Sequence, residues 1–126
     1  MINEAYDLVK DFQLQAGQPV RNIPTFLSQE RALIRFGWMK EELDEFLEAQ
    51  NVYEQADSIM DLLYYSLGTL VELGVKPDDL FLLLHKWNLK KLNDICYDDK
   101  GKVLKPKGWR HPYNEIKEII DSMNIK

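Results

Sequence analysis

The sequence predicts an all-α fold, built like a four-helix bundle with a loop-rich segment and a short helix at its C-terminus. Apolar residues recur at three- and four-residue intervals through five stretches of the chain. Gly17, Pro19, Pro24, Gly74 and Pro77 fall between those stretches, where they punctuate helices. Even the loop-rich stretch, Tyr97 to Pro112, does not demand strands.

Taken in order, the first helix spans Ile2 to Ala16, with Ala5, Leu8, Val9, Phe12 and Ala16 at helical spacing and Gly17 as its stop. Ser28 is the expected N-cap of a second helix reaching about Gln50. Its apolar stripe is Phe36, Met39, Leu43, Phe46 and Leu47, with Glu41, Glu42, Asp44, Glu45 and Glu48 on the other side. A third helix starts near Asn51 to Glu54 and ends before Gly74. It is apolar almost all the way round, as a central helix would be. Pro77 opens a fourth, with Asp78 and Asp79 suited to its N-terminus. That pattern dissolves at Asn93-Asp94. Tyr113 to Met123 forms the last helix, with Ile116, Ile119, Ile120 and Met123 on one side.

The 126 residues suffice for one domain with a real core, spanning 1–126, and there is no repeat or linker to divide it. Net charge is −5 and no long basic run occurs, which excludes nucleic acid or an anionic membrane as the main partner. Cys96 stands alone, so no intrachain disulfide forms and a reducing, cytoplasmic setting is expected. Cys96 itself reads as a small buried residue. Met1-Ile2-Asn3-Glu4 has neither the basic nor the apolar region of a signal peptide. The longest apolar-rich run, Ile59 to Leu73, carries Asp61 and Glu72 and is short for a membrane span.

The chemistry gathers in two acidic clusters on consecutive helices. Glu41 and Glu45 lie one turn apart and Glu42 flanks them. Alone, such a cluster is the solvated face of an amphipathic helix. Asp57 and Asp61 are also one turn apart, on a helix with little polar circumference, and a buried carboxylate is costly unless paired or metal-bound. Two readings follow: an ion pair with Arg31 and Arg35, or convergence of both clusters on Mg²⁺, which takes oxygen ligands and substrate phosphates. Six of the 16 basic residues, Lys91, Lys100, Lys102, Lys105, Lys107 and Arg110, gather near the loop-rich segment. Lysine suits phosphate as a point charge.

These residues resemble the all-α nucleoside triphosphate pyrophosphohydrolases, a group that includes MazG-like proteins, dimeric dUTPases and phosphoribosyl-ATP pyrophosphohydrolase. Glu41-Glu42-Leu43-Asp44-Glu45 is similar to that group's Glu-Glu-x-x-Glu motif. Asp57-Ser58-Ile59-Met60-Asp61-Leu62-Leu63-Tyr64, Asn88-Leu89-Lys90-Lys91-Leu92 and Gly101-Lys102-Val103-Leu104-Lys105-Pro106 follow in the same order. Many members carry Glu-x-x-Asp in the second motif; here Ser58 holds the Glu position and Asp57 stands four before Asp61.

The resemblance implies Mg²⁺-dependent cleavage between the α and β phosphates of a nucleotide, with Mn²⁺ as a substitute. It implies Glu41, Glu42, Glu45, Asp57 and Asp61 as metal ligands, and Glu41 or Glu42 as base or orienting group for the attacking water. Asn88, Lys91, Lys102 and Lys105 would bind substrate. Trp38 and Trp87 are stacking candidates, although burial in the core is the commoner fate of Trp. A homodimer is expected, with pairing of dimers into a tetramer left open. Hydrolysis of phosphoribosyl-ATP in histidine synthesis is the alternative substrate reading. A non-enzymatic helical dimerisation module is the alternative from another class.

Overall fold

The helix ends fall where the capping residues stand. The computed structural model of the chain describes residues 1–124. Helix α1, Ile2–Ala16, stops at Gly17, whose φ of 73° lies in the left-handed region. Helix α2, Gln29–Glu48, is capped by Ser28, which accepts a hydrogen bond from the Arg31 N–H at 3.1 Å. Helix α3, Val52–Leu73, has a reciprocal cap: Asn51 Oδ1 accepts from the Glu54 N–H at 2.9 Å, and Glu54 Oε1 accepts from the Gln50 N–H at 2.8 Å. Helix α4, Asp78–Lys90, follows Pro77 and tightens into a 3₁₀ turn, Lys91–Asp94. Helix α5 is Tyr113–Ser122. No strand forms among the described residues; Tyr97 and Val103 make a single antiparallel bridge. No helix among them is long and apolar enough to cross a membrane.

The chain divides into two compact units, the first Met1–Lys76 and the second beginning at Pro77. In the first, α3 packs against both α1 and α2. Tyr6 and Val9 of α1 meet Leu67 and Val71 of α3, with Ile2, Ala5, Val20 and Leu70 packed around them. The loop after α1 docks on the end of α3: the Arg21 N–H donates to the Val71 carbonyl at 3.2 Å and the Thr25 N–H to the Leu73 carbonyl at 2.8 Å. Gly74 is required twice over, since its φ is 71° and a Cβ would stand 2.5 Å from the Ile23 carbonyl oxygen. In the second unit α4 packs against α5. Its buried side chain, Trp87, meets Trp109 edge-on with ring centres 5.9 Å apart.

The polar part of the first core is an ionic network. Glu72, on α3, is 1% exposed and Arg35, on α2, is 3% exposed. Arg35 Nε donates to Glu72 Oε2. Arg31 closes on the same carboxylate, Nε to Oε1 at 2.7 Å and Nη2 to Oε2 at 3.0 Å. Arg35 Nη2 also donates to Gln13 Oε1 at 2.9 Å, and Gln13 Nε2 to the Pro19 carbonyl at 3.0 Å. Burial pushes the Glu72 carboxyl up, but the hydrogen bonds and charges of the two arginines outweigh it and hold the group below its usual range. Gly68 makes room: a Cβ there would collide with Gln13 Oε1 and stand 2.9 Å from Arg35 Nη1.

Several expectations about burial are corrected. Arg31 and Arg35 pair with Glu72, not with Asp57 or Asp61. On α2 the buried residues are Arg35 and Glu42, while Phe36, Leu43, Phe46 and Leu47 are exposed. Arg35, Trp38, Met39 and Glu42 share one helical face; Phe36 and Leu43 lie about 100° round from it. Turning Arg35 to Glu72 turns Phe36, Leu43 and Leu47 outward, while Met39 stays on the half-buried face. Helix α3 is buried mainly in its second half, and Ile59, Met60, Leu63 and Tyr64 are exposed. Cys96 is exposed, because it follows the 3₁₀ turn where no helix covers it.

Removing the shared carboxylate strands a buried guanidinium. Glu72→Ala should cost roughly 3–5 kcal/mol in urea unfolding. Arg31→Ala should cost much less, because that side chain is 25% exposed and Arg35 still holds Glu72.

Candidate active site

A short connection, residues 49–51, joins α2 to α3 and so sets the end of one beside the start of the other. Glu42 and Glu45 come from α2, and Asp57 and Asp61 from α3. Glu42 is the buried member, at 9% exposed. Its pKa is pushed up to about 7. Burial is the largest cause, followed by the hydrogen bond it shares with Glu45 and the negative charges of Glu45, Asp61 and Asp57. Its other oxygen, Oε2, is buried with no hydrogen-bond partner. A buried polar atom left in that state costs free energy that a ligand can recover.

Beside this group a cleft of about 260 Å³ opens between the helices, lined by Glu45, Glu48, Ala49, Glu54, Asp57 and Ser58. Glu41, Glu45, Asp57 and Asp61 are exposed. Among the described residues, none of Glu42, Glu45, Asp57 and Asp61 enters an ion pair with a basic side chain. The cost that the sequence assigned to Asp57 and Asp61 therefore falls on Glu42. Glu41 lies outside the set of charges that act on Glu42. Asp44 pairs with Lys40 at 2.9 Å on the solvated surface. Ser58 is buried, at 5% exposed, and forms part of the cleft wall next to Asp57.

The donor set suits a hard divalent cation. Four carboxylates from two facing helices offer oxygen ligands, and among the described residues Glu42 Oε2 has no hydrogen-bond partner to stabilise its charge. Among the described residues, no three acidic, histidine or cysteine side chains stand close enough together to enclose an ion.

The predicted phosphate contacts belong to the second unit. Asn88 is exposed on α4. Lys91 and Lys105 both reach Trp109, with Nζ 5.3 and 5.2 Å from the ring centre. Lys102 sits apart from them on the turn closed by Asp98, whose Oδ1 accepts from the Lys102 N–H at 2.9 Å. Lys90 and Arg110 cover Trp87 at 3.7 and 4.7 Å, and the Trp109 indole N–H is buried without a partner. Sequence reasoning missed Trp109 as the point where these lysines gather. It also missed Glu72, although two arginines one turn apart do announce an acidic partner.

A model of the phosphoribosyl-ATP pyrophosphohydrolase family matches residues 9–88. The matched stretch holds every acidic candidate from Glu41 to Asp61, as well as Asn88, and ends before Lys91, Lys102 and Lys105. No curated protein matches the sequence.

Folding lifts the Glu42 pKa from 4.5 to about 7, so the protonated carboxyl favours the folded state and its contribution is lost as the pH rises from about 4.5 through 7. In metal-free protein, Glu42→Gln should be more stable than wild type at pH 8 and close to it at pH 5. Urea midpoints at the two pH values check this.

Proposed function

Since the chain belongs to the phosphoribosyl-ATP pyrophosphohydrolase family, within the all-α nucleoside triphosphate pyrophosphohydrolases, we propose that it hydrolyses nucleoside triphosphates between the α and β phosphates. Water adds to the α-phosphorus, the bond to the bridging oxygen breaks, and a nucleoside monophosphate and pyrophosphate leave. The observation that carries this reading is Glu42: a buried carboxyl with one orphaned oxygen, facing three further carboxylates and no cation among the described residues.

Glu42, Glu45, Asp57 and Asp61, with Glu41 at the margin, would hold Mg²⁺, or Mn²⁺ in its place. The cation would polarise phosphate oxygens and acidify a bound water. Burial and the orphaned Oε2 support Glu42, rather than the exposed Glu41, as the group that orients the attacking water. Asn88, Lys91, Lys102 and Lys105 are the candidates for neutralising phosphate oxygens. The chain works as a homodimer, with a tetramer as its next order of assembly. Exposed Leu33, Phe36, Leu47, Ile59 and Met60 supply apolar surface for that association. Its setting is the cytoplasm.

A second reading, hydrolysis of phosphoribosyl-ATP, is favoured by the family whose model matches. Pyrophosphate release from a panel of ribo- and deoxyribonucleoside triphosphates and phosphoribosyl-ATP, with Mg²⁺, separates the two. Glu45→Gln and Asp61→Asn should each lower kcat by at least about 10²-fold on whichever substrate is accepted, the scale of losing one charge-stabilising group. Absence of pyrophosphate from every substrate leaves a helical dimerisation module.

A further inference from the structure

Helix α3 carries three hydroxyl side chains, Ser58, Ser66 and Thr69. Two of them turn back on their own helix: Ser66 Oγ donates to the Leu62 carbonyl and Thr69 Oγ1 to the Tyr65 carbonyl, each at 2.8 Å. That is the common resting place of a hydroxyl inside a helix. Ser58 does otherwise. It is 5% exposed and lines the cleft between α2 and α3, and its hydroxyl has no hydrogen-bond partner among the described residues. Of the buried residues of α3, it alone lies in the first half of the helix. A buried hydroxyl left unpaired costs free energy, which a new partner recovers.

The other polar side chains of the cleft are Glu45, Glu48, Glu54 and Asp57. An ionised carboxylate accepts hydrogen bonds and cannot donate, so Ser58 is the side-chain donor of this lining. Which carboxylate it can serve follows from position. Glu54 Oε1 already accepts from the Gln50 N–H at 2.8 Å. Asp57 precedes Ser58 by one residue, about 100° round the helix, so the two side chains diverge. The carboxylates of α2 remain. Glu45 hydrogen-bonds Glu42 and its charge acts on that group, whereas Glu48 is outside that set.

A carboxylate that holds a cation needs a partner of its own. It has about four lone-pair positions, and a donor on one that the cation leaves free fixes its orientation. We propose that Ser58 is a positioning residue of the cation site: its hydroxyl donates to the Glu45 carboxylate and holds that ligand in the orientation that binds a divalent cation. The assignment rests on the divalent-cation reading of the acidic cluster.

Calorimetry with Mg²⁺ and with Mn²⁺ on the full chain, without nucleotide, tests it beside urea unfolding of the metal-free protein. Ser58→Ala should weaken both cations by at least about tenfold, the scale of losing a hydrogen bond to a metal ligand. In the metal-free protein the same variant should unfold at a urea midpoint equal to or above that of wild type, because the hydroxyl it removes is unpaired there. Ser58→Thr keeps the hydroxyl and should bind within about threefold of wild type. In Glu45→Ala, which retains three of the four carboxylates, adding Ser58→Ala should cost less than a further twofold or so. Unchanged affinity in Ser58→Ala, a lowered midpoint in that metal-free variant, or a further tenfold loss in the Glu45→Ala background overturns the assignment. Wild type and Ser58→Ala binding equally well removes Ser58 alone and leaves the hydrolase reading standing. Wild type that takes up neither cation removes the cation reading together with it.

Discussion

Glu72 decides how the first unit is assembled. One carboxylate, buried in the second half of α3, is held by Arg31 and Arg35 from α2. A buried ion pair contributes little net stability by itself, since desolvation offsets most of the attraction. What it imposes is orientation. With Arg35 turned inward, Trp38, Met39 and Glu42 share its face, while Phe36, Leu43 and Leu47 are carried round to the surface. The burial of Glu42 and the exposure of Phe36, Leu43 and Leu47 are two results of one rotation.

That rotation places an acid where solvation is poor and its described neighbours are carboxylates. Glu42 responds by holding its proton to higher pH, and its neighbours Glu45, Asp57 and Asp61 reinforce the effect. The second unit shows the opposite imbalance, with Lys90, Lys91, Lys105 and Arg110 around two indoles and Glu115 as the carboxylate that answers Arg110.

The sequence made local structure legible wherever a local rule sets it. Gly17, Ser28, Asn51 and Gly74 mark helix ends that the structure reproduces, and the family could be identified from short motifs in order. Burial was harder to read. Helical periodicity finds an apolar face on α2 but does not say whether it meets this chain or faces outward. The Arg35–Glu72 bond joins residues 37 apart in sequence, and nothing near Arg35 distinguishes Glu72 from Asp57 or Asp61 as its partner. Once that choice is made differently, the cost of a buried charge moves from Asp57 and Asp61 to Glu42. Trp109 escaped notice for a related reason: its role comes from lysines that approach from separate segments.

All three tryptophans of the chain lie beneath cations. Trp38 carries Arg31 and Arg35, at 5.1 and 5.0 Å from the ring centre, while Trp87 and Trp109 carry the lysines and arginine of the second unit. The molecule is therefore optically partitioned. Light emitted from Trp38 reports on the ionic network of the first unit, and light from the other two on the basic aromatic cluster of the second. Each indole senses any anion that draws its cation away, so with Trp38 replaced the remaining intrinsic fluorescence follows the second unit, and with Trp87 and Trp109 replaced it follows the first.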